Sequence, residues 1–203
     1  NASFVFAGSN RHAMHEIFNN ADSYFFRRTE NIPVGPIPEA QIIPFLDGRF
    51  DGVVPPIIGR EAYRWTEGIT GDLQRLYSKV SQLAVRAGTK SYVVTPGDLK
   101  SAQDAIVADL GRSYALTLLK LSEPSRVLLD VIAARDIRTI SELREQSQTL
   151  GMPVEASNSA VKELLQSGNL HLSLQSGAKT IERPEPILFH YLLKQQAVSH
   201  TPY

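Results

Sequence analysis

The sequence predicts a mainly α protein with minor β, of the α+β class. Three observations carry that expectation. The chain opens on an apolar run ending at a polar turn, its middle is filled by apolar residues at helical period, and three short helical periods give way to strict alternation near the end. The 203 residues allow one large domain or two small ones, and a hydrophobic content of 42% is that of a globular protein. With 21 basic residues against 21 acidic, the formal charge is zero, which argues against a generally basic nucleic-acid or membrane-surface binder. The lack of cysteine excludes disulfide scaffolds, Cys-ligated zinc, iron–sulfur clusters and thiol nucleophiles together, and fits a reducing compartment. No apolar run approaches the roughly 18 residues of a bilayer span, and no signal-peptide pattern is present, so the expected setting is soluble and cytoplasmic.

Ser3-Phe4-Val5-Phe6-Ala7-Gly8 reads as a short strand buried on both faces. Such a strand needs partners on both edges, so the sequence is read as the C-terminal portion of something longer, with Asn1-Ala2 a cloning remnant. Ser9 or Asn10 can cap a helix from about Arg11 to Asn20, with Met14, Ile17 and Phe18 on its buried face. Tyr24-Phe25-Phe26-Arg27-Arg28 then joins aromatic anchors to two adjacent cations. Ile32-Pro33-Val34-Gly35-Pro36 is extended, because a residue before proline is pushed out of the helical region. Pro38 opens a further helix with Ile42, Ile43, Phe45 and Leu46 as its apolar stripe. Residues 52–56 break the pattern. Helices follow at about 59–68, 71–87 and 96–119, the last carrying a break signal at Gly111. Thr95-Pro96-Gly97-Asp98 is a helix start, with threonine as cap and proline at the first position. The middle therefore reads as a helical bundle.

From about Leu121 the organisation changes. Ser122-Glu123-Pro124 begins a helix carrying Val127, Leu128, Val131 and Ile132; Thr139 to Leu143 begins a shorter one; residues 155–167 form a third with Ala160, Val161, Leu164 and Leu165 inward. Leu170-His171-Leu172-Ser173-Leu174 alternates with period two, a turn follows at 175–179, and a returning strand is expected at 180–183. Three short helices followed by a hairpin is the order of a winged helix-turn-helix. A closing helix at 184–196 completes the chain, giving three segments: 1–37, 38–120 and 121–203.

Phe4 to His12 and the stretch through Ile37 resemble the second half of an AAA+ type P-loop ATPase core, of the prokaryotic and archaeal kind with a helical lid and a terminal winged helix. The resemblance covers about the first 120 residues. It implies that 1–37 is the strand-helix-strand end of the nucleotide core and that 38–120 is the lid. It further implies that Ser9 and Asn10 stand at the sensor-one position, orienting the attacking water near the γ-phosphate, and that Arg27 or Arg28 is a finger presented to a neighbouring subunit's nucleotide. Ile69 to Arg75 resembles the lid turn that carries sensor two; Gln74 stands where relatives place the arginine, and Arg75 follows one position later. The chemistry is coherent, since phosphoryl transfer is catalysed by positioning and charge neutralisation and a guanidinium offers phosphate a rigid fork of donors.

The sequence contains no G-x-x-x-x-G-K-[ST]; Ala87-Gly88-Thr89-Lys90-Ser91 has the wrong glycine spacing, and no apolar strand ends in adjacent acids. ATP and Mg²⁺ are therefore expected only in the longer protein, with no cofactor on this piece and no hydrolysis by it alone. The expected partners are the N-terminal ATPase half, further copies in a homo-oligomer, and a protein or DNA reached through the winged helix, with no membrane. Residues 121–203 hold 8 basic against 9 acidic residues, a poor footprint for duplex DNA, so protein contact is favoured there. His12 and His15 lie three apart without a third ligand, and His171 and His190 read as amphipathic positions. Asp47, Asp51, Glu61 and Glu67 read as solvated charges, and Trp65 with Tyr63 as core or interface. The rival reading is a non-enzymatic winged-helix DNA-binding or adaptor protein.

Overall fold

The computed structural model describes residues 4–8, 11–30, 32, 34–48, 50, 52–87, 92–175 and 178–199. Among them, nine helices and two small two-stranded sheets make the chain mainly α with minor β. The chain packs as two compact units. The first combines Asn1–Pro33 with Leu121–Pro184, and the second combines Val34–Lys120 with Glu185–Tyr203. The sequence partition ended its middle segment at 120 and attached the closing helix to the last one. Packing instead returns the chain to the bundle at Glu185.

In the first unit, α1 (Arg11–Phe18) packs on α8 (Val154–Gln166), which also lies against α6 (Glu123–Arg135) and α7 (Ile140–Thr149). Leu128, Leu129, Ile132, Leu143, Leu164 and Ile181 form its buried core, one helical face from each contributing helix. Thr139 caps α7 with a reciprocal box: its hydroxyl accepts from the Glu142 amide while the Glu142 carboxylate accepts from the Thr139 amide. After α8, β3 (His171–Gln175) and β4 (Ala178–Glu182) form an antiparallel hairpin in the register His171↔Glu182. A bridge from Thr139 to Thr180 and the Ile181 amide donating to the Arg138 carbonyl tie that hairpin to the start of α7.

The opening strand is corrected. Residues 4–8 take no strand, and Phe4, Val5 and Phe6 are 78%, 95% and 53% exposed rather than buried on both faces. Ile32 and Val34, expected in a second strand, are also non-strand and exposed. A ladder needs a neighbour for its amides and carbonyls, and among the described residues none pairs with these segments. Phe6 instead joins an aromatic group with Phe18 and Phe25, at centroid separations of 5.2 and 5.8 Å.

The second unit follows the helical pattern closely: α2 (Glu39–Asp47), α3 (Pro56–Trp65), α4 (Thr70–Ala87), α5 (Pro96–Leu119) and α9 (Pro186–Ser199). Leu73, Leu76, Leu99, Ile106, Ile187 and Phe189 are buried at its centre. The break expected at Gly111 does not occur. Glycine costs a helix about 1 kcal/mol against alanine, but the Tyr191 ring of α9 packs 3.3 Å from where a Cβ would stand. The sequence also missed β1 (Gly52–Val53) and β2 (Tyr92–Val93), a parallel pair in the register Val53↔Val93. Gly52 is required there, because a Cβ would lie 2.5 Å from the Tyr92 carbonyl oxygen.

Candidate functional site

The N-terminal turn of α4 places the second unit's most coupled charges together. Leu73 and Leu76 are fully buried and fix which face of α4 meets the core. Asp72 and Arg75, three apart, then share one side at its margin, while Gln74 is exposed. Asp72 Oδ1 lies 3.2 Å from an Arg75 guanidinium nitrogen; the aspartate side chain is 12% exposed and the arginine 48%. An acid in the first turn also meets the positive end of the helix dipole.

Two further groups complete the cluster. The Tyr114 hydroxyl on α5 donates to Glu185 Oε2 at 3.4 Å. Burial raises the Asp72 carboxyl above its ordinary range, the Glu185 charge pushes it further, and Arg75 pulls it back. The Tyr114 hydroxyl is raised far above its usual value, first by burial and then by the charges of Glu185 and Asp72. Two carboxylates thus face one guanidinium, half of which is open to solvent. Chemically, such an arginine can exchange its carboxylate partner for an arriving oxyanion.

The other expected residues lie elsewhere. Ser9 and Asn10 fall outside the described residues, as do the side chains of His12 and His15. Arg27 and Arg28 stand exposed in the turn after α1 in the first unit. Arg27 holds a left-handed backbone at φ 57° with its guanidinium over the Phe26 ring at 5.2 Å; Arg28 lies over Tyr24 at 4.4 Å. A positive φ outside glycine is uncommon, and here it forms the tip of the aromatic turn. Asp47 is not simply solvated, since it accepts from the Tyr77 hydroxyl at 3.0 Å. Trp65 stacks on His190 at 4.8 Å and 8° between planes, a packing contact within the second unit. Among the described residues, no group of three or more His, Asp or Glu side chains could hold a metal ion, and no helix is long and apolar enough to cross a membrane. A hollow lined by Val54, Ile58, Val80, Val94 and Leu99 presents no charged group.

Sequence reasoning reached Gln74 and Arg75 but missed Asp72, Tyr114 and Glu185. Asp72 was readable, being one helical turn before an arginine. Tyr114 and Glu185 arrive from distant segments and left no local signal.

With this geometry in view, the comparisons identify the class. No family model matches the chain, and no curated protein matches it. Among solved structures it is similar to a Walker-type ATPase of Pyrococcus abyssi. The TM-score is 0.64 at 18% identity, over 92% of this chain and 51% of that one. The chain therefore shares the fold of part of a Walker-type ATPase and spans about half the length of the solved chain it matches.

Proposed function

We propose that this chain is the C-terminal part of an ATP-dependent ATPase of AAA+ type, comprising the end of the nucleotide core, a helical lid and a winged helix. The observation that carries the reading is the fold likeness over 92% of this chain and 51% of a Walker-type ATPase. The missing phosphate loop agrees with it, since that motif belongs in the half which this sequence does not contain. In the first unit, the order of three helices and a tied hairpin supports the winged helix.

ATP with Mg²⁺ would be bound mainly by the upstream half, and only part of its requirement is met here. Arg75 fits a lid group that contacts phosphate, because its guanidinium is half exposed and its partner is exchangeable; Gln74 beside it is exposed as well. Arg27 and Arg28, exposed on a turn, fit fingers reaching a neighbouring copy in a homo-oligomer. Ser9 and Asn10 keep the sensor-one role of orienting water. Nucleotide state would then be passed through the lid to the winged helix, and from there to a protein partner, in a cytoplasmic setting.

The test is to join the upstream half and measure ATP turnover. Arg27→Ala or Arg28→Ala is expected to lower turnover by about 10³–10⁵-fold in whichever position is the finger. Arg75→Ala is expected to lower it less. Unchanged turnover in all three refutes the assignment.

A second reading is favoured by the exposed face of α8, where Glu155, Asn158, Ser159, Lys162 and Gln166 recur at helical spacing. Such a face suits a non-enzymatic winged-helix module that docks protein, or DNA. Duplex binding that weakens steeply with salt would support the DNA form.

A further inference from the structure

Helix α9 is held to the second unit by more than its apolar side. Just before it, Glu185 accepts from the Tyr114 hydroxyl at 3.4 Å. Along it, His190 Nε2 lies 2.9 Å from the Trp65 carbonyl while its ring stacks on the indole. Further along, the Lys194 ammonium donates to Asp104 Oδ1 at 3.1 Å. The first of these ties belongs to the Asp72–Arg75 cluster as well. Glu185 is also where the chain re-enters this unit, directly after Pro184 of the other.

The geometry points to a charge relay in which Arg75, through Asp72 and Glu185, couples a phosphate ligand at its half-exposed guanidinium to the seating of α9. It rests on the reading of Arg75 as a phosphate-contacting group. A phosphate competes for the same fork of donors that Asp72 uses. Once Arg75 turns to it, the buried aspartate loses its counter-charge, and its repulsion with Glu185 is no longer offset. The raised Asp72 carboxyl is in keeping with that strain, because burial and Glu185 already oppose its charge and Arg75 alone relieves it. The group best able to yield is Glu185, which is exposed and held by one long hydrogen bond. Its movement loosens the start of α9 at the point where the backbone arrives from the Leu121–Pro184 segment.

The chain contains a single tryptophan, and its stacking on His190 makes its emission a reporter of α9 seating. Arg75→Gln imitates withdrawal of the guanidinium. It is expected to speed amide hydrogen exchange across Pro186–Ser199 by about fivefold or more and to shift Trp65 emission. Glu185→Gln in the same background should restore both, and Arg75→Lys, which keeps the charge, should stay near the parent chain. Millimolar inorganic triphosphate added to the parent chain should act in the direction of Arg75→Gln, and Glu185→Gln should abolish its effect. The relay is overturned if Arg75→Gln leaves α9 unchanged, or if its effect survives Glu185→Gln. It is equally overturned if triphosphate leaves the exchange of α9 unaltered. ATP turnover of Arg75→Ala in the joined protein is a separate measurement: indifference there, beside an intact Arg75–Glu185 cycle, removes the catalytic reading and leaves the relay standing.

Discussion

Glu163 accepts from the Ser122 amide at 3.0 Å and from the hydroxyls of Ser122 and Ser125, so three donors favour its charged form. Those bonds, the Ser122 hydroxyl's foremost, hold its carboxyl below the ordinary 4.5. Asp72 is displaced the other way, above the ordinary 3.8, by burial. The signs of their stability contributions are therefore opposite. Glu163 binds fewer protons folded than unfolded, so its stabilisation is present above the ordinary glutamate value and is lost as pH falls through the lowered one. Asp72 binds more protons folded, so its contribution grows as pH falls through its raised value towards 3.8. Glu163→Gln is expected to make the acid limb of melting temperature against pH shallower, and Asp72→Asn to make it steeper, as read by calorimetry across pH 3 to 6, a window of about three units around both values. Equal slopes in both variants would contradict the two environments. At this scale, legibility follows sequence distance. The pair Asp72–Arg75 can be seen in the one-dimensional pattern, whereas Glu163 meeting Ser122, and Glu185 meeting Tyr114, exist only once helices pack.

At the level of elements, start signals were the most readable feature, because the groups that satisfy a helix N-terminus are local. Thr95 and Asp98 form the reciprocal box that threonine before proline foretells: the Asp98 amide donates to the Thr95 hydroxyl at 3.2 Å, and the Thr95 amide to Asp98 Oδ2 at 2.8 Å. Thr95→Ala removes one half of it and is expected to cost about 1 kcal/mol, measurable as a lower denaturation midpoint without a change in slope. A shift no larger than experimental scatter would mean that α5 is held by packing alone. The strands were poorly readable for the converse reason. Phe4 to Phe6 has the composition of a buried strand, yet composition supplies no hydrogen-bonding neighbour, and the segment stays exposed against Phe18 and Phe25. The β1–β2 pair is two residues long on each side, too short to carry a period, and is fixed by the close approach at Gly52.

For the whole molecule, the order of the units matters more than their number. The second unit is interrupted after Lys120 and resumes at Glu185, so Leu121–Pro184 is inserted between α5 and α9. The hydrogen bond from Tyr114 to Glu185 fixes how far apart the two ends of that interruption can be. Helix α5 ends at Leu119, about five residues beyond Tyr114, or roughly 7.5 Å along the axis. A flexible bridge of about six glycine and serine residues has an average span of roughly 13 Å and is long enough. Joining Lys120 to Glu185 with such a bridge, and deleting 121–184, should therefore leave Val34–Lys120 and α9 folded. The buried Ile187, Leu188, Phe189 and Leu192 would still fill the core, and Trp65 would keep its His190 partner. The expected outcome is cooperative unfolding with parent-like tryptophan emission. An unfolded product, with the separately made 121–184 piece folded, would mean that α9 needs the inserted unit to be seated, and that the bundle's stability depends on the segment which interrupts it.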